Sequence, residues 1–269
     1  MKGLDYLYIA LLMLGSYLLA NINFAKIISK CKNRDITKEG SGNPGTLNML
    51  RTFGFFWAIL NMILEVLKGA IPSLIGYLIF GDVGLYLCGL SAIVGHIYPV
   101  LFKFKGGKGV ACCCGMFIVA NWWVTLIVVA VCFAFVTLTS MGSVGTLGFV
   151  LIMSIIELCL VDPSNWVIYI IIALIVAIIF FAHRKNLYRL FTGQENPTNI
   201  KGAFKADVNK IKNRNQTKNH TETVENADAK EITTIQTKTN LNEEANIVAS
   251  NEEISSEEKT TEKSSEETK

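Results

Sequence analysis

Long apolar segments constrain the fold of this chain more than any other feature of its sequence. Residues 4–25, 53–80, 84–102, 110–139, 143–161 and 166–182 are almost entirely apolar, with short polar segments between them. About 20 such residues span the hydrocarbon core of a bilayer as a helix. Because a strand with an open edge would leave its backbone groups unpaired in lipid, we predict an all-α, polytopic integral membrane protein.

Positively charged side chains cluster in three of the connecting loops, and the positive-inside rule places such loops in the cytoplasm. The loops at 81–83, 140–142 and 162–165 carry at most one acidic residue and no basic one. The basic residues of the three clusters are Lys26, Lys30, Lys32, Arg34, Lys38 and Arg51, then Lys103, Lys105 and Lys108, then Arg184, Lys185 and Arg189.

The same rule constrains the number of crossings. The chain leaves the cytoplasmic face after Lys108 and has returned to it by His183, so an even number of helices must lie between them. Only three apolar segments are evident there, but segment 110–139 is long for a single helix. Two short or broken helices in that segment give seven transmembrane helices in total. We therefore predict a membrane domain over residues 1–204, with the N-terminus outside and the C-terminus in the cytoplasm.

Residues 205–269 differ sharply in composition from the rest of the chain. They contain no aromatic residue, 10 Lys and Arg and 14 Asp and Glu, whereas residues 1–204 contain 15 and 8. Such a segment buries too little apolar surface to offset its ordering entropy. We predict a disordered, charged cytoplasmic tail, either inert or a docking arm for a partner.

The first basic loop contains a glycine-rich stretch, GSGNPGTLNMLR, at residues 40–51. Glycines let backbone amides approach an anion closely, and the polar side chains between them supply further donors. Arg51 ends the stretch with a guanidinium fork suited to phosphate. The alternative is an ordinary turn in which Arg51 anchors a helix at the membrane interface.

The second basic loop ends in GGKG at residues 106–109, directly before an apolar segment. Backbone amides at a helix start bind anions, and Lys108 would add a point charge beside them. The spacing is not that of a Walker motif. Lys103 and Lys105 fit simple positive-inside anchoring.

Five further residues are notable for their positions. His183 and Asn186 follow the last apolar segment and would share one helical face if that helix continued. Glu65 and Lys68 lie three residues apart inside the second segment, and we predict that they form an ion pair facing the protein interior. Glu157 lies near the outer end of its segment, where we expect an interfacial position.

The seven cysteines show no CxxC pair and no metal-ligand spacing, so no metal site is expected.

Three glycine-rich or basic motifs lie on one predicted membrane face and together indicate a phosphate site. A lipid-synthesis enzyme, a transporter and a receptor for lipid head groups all remain compatible with such a site.

Three stretches resemble the bacterial acyl-phosphate:glycerol-3-phosphate acyltransferase family: GSGNPGTLNMLR (40–51), GHIYPVLFKFKGGKGVA (95–111) and HRKNLYRL (183–190). The resemblance covers about residues 4–200. It implies a seven-helix enzyme of the bacterial plasma membrane that acts at the cytoplasmic face. This enzyme would transfer a fatty acyl group from acyl phosphate to the 1-hydroxyl of sn-glycerol 3-phosphate, giving lysophosphatidate and phosphate at the start of phospholipid synthesis.

The resemblance also implies site residues and partners. No cofactor and no nucleic acid are expected, and the soluble enzyme that makes acyl phosphate is an implied partner. A base role for His183 is open, and we favour a substrate-assisted route in which phosphate oxygens accept the proton. The implied substrate-binding and phosphate-binding residues are Ser41, Asn43, Gly45, Asn48, Arg51, Lys68, Gly106, Gly107, Lys108, Gly109, His183 and Asn186.

The chain departs from the family pattern in three places. Residues 20–23 lack the usual Ser and Pro, Thr46 is displaced by one position relative to the family's GATN, and Cys112 replaces a threonine. These changes remove hydroxyl donors near the implied site. Two alternatives to the enzyme therefore stay open: an inactive family member that acts as a scaffold, and a transporter or binder of phosphorylated small molecules.

Overall fold

The computed structural model of the chain describes residues 3–217, and every regular element among them is helical. Short 3-10 turns occur at Ile36–Lys38 and Val100–Phe102. A last helix, α9, begins at residue 200. The preceding helices are α1 (Gly3–Ala20), α2 (Phe24–Cys31), α3 (Thr46–Phe53), α4 (Phe55–Ile97), α5 (Val110–Thr139), α6 (Gly142–Leu160), α7 (Trp166–Ala182) and α8 (Arg184–Phe191).

The prediction of an all-helical chain with long apolar helices is confirmed within these residues. Counted without regard to internal breaks, four described segments are long and apolar enough to cross a membrane: Gly3–Cys31, Phe55–Phe102, Val110–Thr139 and Gly142–Leu160. A fifth is obtained if α7 and α8, which meet at a bend of 60°, are counted as one span.

Helix α4 is a hairpin of two helices. It is broken at Gly81, whose φ of 62° and ψ of −151° are not helical. Beyond the break the chain reverses, and Gly76 and Gly84 pack against each other across the turn so tightly that a side chain on either would overlap the other backbone. The two apolar segments predicted at 53–80 and 84–102 correspond to the two halves of α4.

Helix α5 is broken at Asn121, where φ is −147° and ψ is 79°. The side chain of Asn121 donates a 2.8 Å hydrogen bond to Glu157 of α6, and Tyr86 donates another, of 2.6 Å, to the same carboxylate. Glu157 is only 1% exposed, so its carboxylate lies inside the protein, and its expected position at the membrane interface stays a prediction. A buried carboxylate with two donors holds the break in place, because leaving these polar groups unpaired in the interior would be costly.

The largest hydrophobic core lies between the second half of α4, α5, α6 and α7. Ile93, Phe117, Val150 and Ile172 contribute fully buried side chains from these four helices. A smaller core joins α2, α3 and the start of α4 to α9, through residues such as Ala25, Met49, Ala58 and Ile200. Together the two cores fix the loops that follow α2, α4 and α7 relative to one another.

The predicted boundary of the tail at residue 205 needs correction. Residues 200–208 are helical and belong to the unit that ends at Val208. Asp207 accepts hydrogen bonds from the backbone amides of Phe55 (2.8 Å) and Phe56 (3.3 Å), which caps the start of α4. Of the second unit, residues 209–217 are described and are also helical. The rest of the predicted tail, 218–269, lies outside the described residues.

Candidate functional site

A cavity of about 260 Å³ opens between α3, both halves of α5, α6 and the start of α4. One end is lined by polar and charged side chains from the three motifs identified in the sequence. The other end is apolar, with Met62 from α4, Val129 and Phe133 from α5 and Phe149 from α6. A cavity of this kind suits a ligand with a charged head and an apolar chain.

The first glycine-rich loop is shaped largely by Asn48. The Oδ1 atom of Asn48 accepts the backbone amide of Ser41 (2.8 Å), and Nδ2 donates to the carbonyls of Ile36 (3.1 Å) and Glu39 (2.9 Å). Asn48 lines the cavity and its amide group holds the loop in shape, while the substrate contact expected from the sequence stays a prediction. Ser41 and Asn43 line the cavity beside it.

Arg51 lies near the end of α3 and also lines the cavity. Its Nε donates to the carbonyl of Pro197 (3.1 Å), and its Nη2 donates to the carbonyl of Asn196 (2.9 Å) and to Thr198 Oγ1 (2.7 Å). All of these acceptors are uncharged. The guanidinium therefore keeps its full charge while it is held in one orientation.

Lys108 starts a chain of polar contacts across the polar end of the cavity. Its Nζ donates a 2.6 Å hydrogen bond to Asn186 Oδ1, and Asn186 Nδ2 donates one of 2.6 Å to Ser143 Oγ. The backbone amide of Ser143 donates in turn to Glu195 Oε1 (2.8 Å). These hydrogen bonds connect the second motif, the third motif and the start of α6.

The glycines of GGKG serve two different purposes. Gly106 and Gly107 do not line the cavity; their backbone amides donate to the carbonyls of Ile97 (3.2 Å) and His96 (3.1 Å). A Cβ on Gly107 would overlap the imidazole of His96, so only glycine fits there. Gly109, with a φ of 84°, caps α5 and lines the cavity. The amides of Gly106 and Gly107 are thus used within the loop, and the expected amide contact with phosphate stays a prediction for Gly109.

Three helices begin at the polar end of the cavity. Gly45 precedes α3, Gly109 precedes α5, and Ser143 lies in the first turn of α6, and all three residues line the cavity. The helix dipole favours an anion at each of these starts. At α6 the carboxylate of Glu195 already accepts the backbone amide of Ser143, which leaves the starts of α3 and α5 open to a ligand. Together with Arg51 and Lys108, they make the polar end strongly favourable for phosphate.

His183 lies at the bend between α7 and α8, so the last helix does not continue through it, which was the condition for a shared helical face with Asn186. Both side chains still line the cavity. His183 Nδ1 lies 2.8 Å from the carbonyl of Ile179, which can only accept a hydrogen bond, so Nδ1 carries the proton and Nε2 is left as an acceptor. Burial, reinforced by the positive charge of Lys108, lowers the pKa of His183 to about 4, and the imidazole is neutral at pH 7.

Burial also lowers the pKa of Lys108, to about 8, and the positive charges of Arg189 and Arg51 act in the same direction. The carboxylate of Glu195 opposes the shift. Lys108 is therefore mostly protonated at pH 7, and it titrates within reach of ordinary experiments. An incoming phosphate dianion would stabilise the protonated form further.

Glu65, Lys68 and His96 form a buried cluster at the wall of the cavity, which Glu65 and His96 line and behind which Lys68 lies. Glu65 Oε2 lies 2.6 Å from Lys68 Nζ and 2.8 Å from His96 Nδ1, which confirms the expected pairing of Glu65 with Lys68. Lys68 also donates to the carbonyl of Ile22 (2.5 Å) and does not line the cavity, which differs from its expected role as a phosphate ligand. Cys112 lies close enough to complete a metal-like triad with Glu65 and His96, but the ammonium of Lys68 already lies against that carboxylate.

The residues at which the chain departs from the family pattern make defined contacts in the structure. Asn21 is fully buried, donates to the carbonyl of Tyr17 (2.6 Å) and accepts the backbone amide of Leu101 (3.3 Å), which ties α1 to the loop after α4. Thr46 Oγ1 accepts a 3.1 Å hydrogen bond from Asn61. Cys112 lies with its sulfur 3.9 Å from Glu65 Oε2.

Most of the residues singled out from the sequence converge on the cavity: Ser41, Asn43, Gly45, Asn48, Arg51, Lys108, Gly109, His183 and Asn186. Lys68, Gly106 and Gly107 support it from behind. No sequence pattern marked Ser143, which follows an uncharged loop, or Glu195 and Thr198, which follow the last motif. His96 stood inside a recognised motif, but its contact with Glu65 depends on the fold.

Comparison with known proteins gives a consistent picture. The profile of the family described as "Glycerol-3-phosphate acyltransferase" matches residues 10–193. The chain is 35% identical over 204 residues to the glycerol-3-phosphate acyltransferase of Thermoanaerobacter sp. (strain X514), covering 74% of this chain and 100% of the relative. It is 38% identical over 197 residues to that of Shouchella clausii (strain KSM-K16), covering 71% and 96%.

Solved structures agree with the sequence relatives. The chain is similar to crystal structures of PlsY, an integral membrane glycerol 3-phosphate acyltransferase, in its glycerol 3-phosphate form (TM-score 0.66) and its lysophosphatidic acid form (TM-score 0.65). Each solved chain is 33% identical to this chain, and each match covers 71% of this chain and 95% of the solved one.

Proposed function

Because the chain belongs to the glycerol-3-phosphate acyltransferase family and is an integral membrane enzyme of that activity, we propose that the cavity binds both of its substrates. The acceptor is glycerol 3-phosphate, and the reaction is the first step of phospholipid synthesis. The donor is acyl phosphate, whose acyl group passes to the 1-hydroxyl and gives lysophosphatidate and inorganic phosphate. One observation carries this proposal: two cations and the starts of α3 and α5 surround one end of a cavity whose other end is apolar.

The two ends of the cavity bind different parts of the substrates. The acyl chain lies at the apolar end, where Met62, Phe133 and Phe149 remove its surface from water. The phosphate groups lie at the polar end beside Arg51 and Lys108. Both reactants are then held with the carbonyl carbon near the boundary between the two ends, where the hydroxyl can reach it.

The chemistry needs alignment more than it needs a strong base, because acyl phosphate is an activated anhydride. The 1-hydroxyl oxygen attacks the acyl carbon, the ester bond forms, and the bond from that carbon to the phosphate oxygen breaks. The hydroxyl proton passes to a phosphate oxygen, and phosphate leaves. His183 Nε2 can accept a hydrogen bond from the hydroxyl and orient it, but a pKa of about 4 makes this imidazole a weak base. Lys108 and the helix starts stabilise the charge that develops on oxygen.

The helical breaks support seven membrane crossings. Helix α5 begins at the cavity and ends beside it, because the carbonyl of Ser140 accepts the backbone amide of Thr198 (2.9 Å) next to Arg51. It must therefore reverse at Asn121, just as α4 reverses at Gly81. Trp122 and Trp123 follow the break and are 64% and 56% exposed, as expected of an aromatic belt at the opposite interface.

Counted in this way, the chain crosses the membrane once in α1, twice in α4, twice in α5 and once each in α6 and α7. The basic loops then lie with the cavity at the cytoplasmic face, and the N-terminus lies outside. A cytoplasmic opening suits a donor supplied by a soluble enzyme that makes acyl phosphate. The membrane is the bacterial plasma membrane.

The test is an assay of purified protein in detergent or lipid, with palmitoyl phosphate and labelled glycerol 3-phosphate. We expect lysophosphatidate and phosphate to appear in equal amounts, and Lys108→Ala to lower kcat/KM by a factor of a hundred or more. Lys105→Ala is the matched control, because it removes an exposed lysine from the same loop, and it should retain nearly full activity.

Other outcomes would support the alternatives. Well-folded protein that binds glycerol 3-phosphate but forms no product with donors of several chain lengths would indicate a binder or transporter. Protein with neither binding nor turnover would indicate a scaffold. Equal losses in Lys108→Ala and Lys105→Ala would contradict the assignment of Lys108 to the cavity chemistry.

A further inference from the structure

The segment that follows α8 returns to the cavity and contacts Arg51. We call residues 195–198 the C-terminal clasp. Its carbonyls at Asn196 and Pro197 and its hydroxyl at Thr198 accept three hydrogen bonds from Arg51, at 2.9, 3.1 and 2.7 Å. These bonds use Nε and Nη2. Among the described residues, Nη1 has no hydrogen-bond partner, so one amino group of the cavity-lining guanidinium stays available for a ligand.

Thr198 is itself held rigidly. It is only 1% exposed, and its backbone amide donates to the carbonyl of Ser140 (2.9 Å) in the connection between α5 and α6. A Cβ on Gly142 would lie 2.5 Å from Thr198 Oγ1, which shows how closely the start of α6 packs against this hydroxyl. The hydroxyl thus has a fixed position from which to accept the hydrogen bond of Arg51.

The chemical type of the acceptors matters. An arginine loses rotamer entropy when it is fixed, and a side chain fixed beforehand does not lose that entropy again when a ligand binds. A carboxylate could also fix Arg51, but it would neutralise the charge that attracts phosphate. Glu195 directs its carboxylate to the backbone amide of Ser143, so its charge acts on Arg51 without a direct hydrogen bond, and the three acceptors that hold Arg51 are neutral.

We propose that Thr198, with the carbonyls of Asn196 and Pro197, is a positioning element that presents Arg51 to a substrate phosphate. This inference rests on the proposed function, in which Arg51 meets one of the two phosphate groups. Thr198 does not touch substrate; it acts through Arg51. The clasp lies beyond residue 193, where the match to the family profile ends, and no sequence motif marked it.

The experiment compares Thr198→Val, which keeps the shape but removes the acceptor, with Thr198→Ser, which keeps the hydroxyl. Thr192→Val is a matched control, because Thr192 is exposed and its hydroxyl bonds to the carbonyl of Tyr188 within its own helix. We expect Thr198→Val to raise the KM for one phosphate substrate by roughly five- to tenfold, with kcat and the other KM little changed. Thr198→Ser and Thr192→Val should stay within about twofold of the parent enzyme.

A double-mutant cycle with Arg51→Lys tests whether Thr198 acts on substrate binding through Arg51. Lysine cannot use the same set of acceptors, so Thr198→Val should cause no further loss in the Arg51→Lys background, and both changes should affect the same substrate. If the two losses multiply, or if Thr198→Ser loses as much as Thr198→Val with a lowered unfolding midpoint, Thr198 has only a packing role and the inference fails. If Arg51→Lys leaves both KM values unchanged, the assignment of Arg51 in the proposed function fails, and the clasp inference fails with it.

Discussion

The ammonium group of Lys108 donates a 2.6 Å hydrogen bond to the side-chain carbonyl of Asn186, which lies 78 residues further along the chain. This contact joins the GGKG loop to the helix after the last membrane span. It positions Lys108 through a neutral partner, so its charge remains unopposed at that contact. The same principle applies to Arg51 and the C-terminal clasp, and the two cations of the cavity are thus both held by uncharged acceptors.

Replacing that neutral partner tests its importance. In Asn186→Asp, a carboxylate would pair with Lys108 and compete with the phosphate group for it. We expect KM for a phosphate substrate to rise by about tenfold or more, since a charge-assisted contact is worth roughly 1.5–3 kcal/mol. Steady-state kinetics with each substrate varied in turn measures this. An unchanged KM for both substrates would show that Lys108 does not meet phosphate.

The pH dependence of activity should report Lys108. Phosphate binds to the protonated ammonium, whose pKa in the free protein is lowered to about 8, so binding is intact below that pH and weakens as the pH rises through it. We expect kcat/KM to fall on the alkaline side with a midpoint near 8. In Asn186→Asp the added carboxylate raises the pKa of Lys108, and the midpoint should move to higher pH. A midpoint that does not move in this variant would contradict the assignment.

The role of His183 can be separated into orientation and base catalysis. Loss of a hydrogen-bond acceptor should lower kcat of His183→Ala by about tenfold, whereas loss of a general base typically lowers it by 10² to 10⁴. His183→Gln places an amide carbonyl near the position of Nε2 and should recover part of the loss if orientation is the function. Single-turnover rates at saturating substrate distinguish the two cases, and a loss of a thousandfold in both variants would favour the base.

The close packing of Gly107 against His96 predicts a strict requirement for glycine. The methyl group of Gly107→Ala would overlap the imidazole, and overpacking of this kind typically costs about 1–3 kcal/mol. The loop must shift, so Lys108 moves with it, and we expect most activity to be lost. Gly148→Ala is a suitable control, because no atom lies within 4 Å of its added Cβ. Activity and thermal unfolding in detergent should both change in the first variant and neither in the second.

The buried ion pair of Glu65 and Lys68 predicts a larger effect of single than of double replacement. Glu65→Gln leaves the ammonium of Lys68 buried without its counter-charge, which should destabilise the fold by about 3–5 kcal/mol. Glu65→Gln combined with Lys68→Met removes both charges and should recover much of that stability. Thermal unfolding midpoints in one detergent give the comparison. A double variant less stable than Glu65→Gln would contradict this account.

The sequence by itself determined the class of fold and the approximate location of the site. Apolar segments of membrane-spanning length require helices, because lipid offers no partners to an unpaired backbone. Glycine, Arg51 and Lys108 mark the phosphate loops because few other residues combine close backbone approach with positive charge. The excessive length of segment 110–139 also predicted a break there, and the structure contains one at Asn121.

Only the tertiary structure decided which residues face the cavity. Gly106, Gly107 and Lys68 have backbone amides or a charge suited to phosphate. Their contacts with His96 and Glu65 nevertheless place them outside the lining of the cavity. Ser143, Glu195 and Thr198 become part of the site because α5 folds back and the chain returns after α8. Such contacts join residues that are distant in sequence, and no local pattern encodes them. Side-chain packing and hydrogen bonding between separate helices select them.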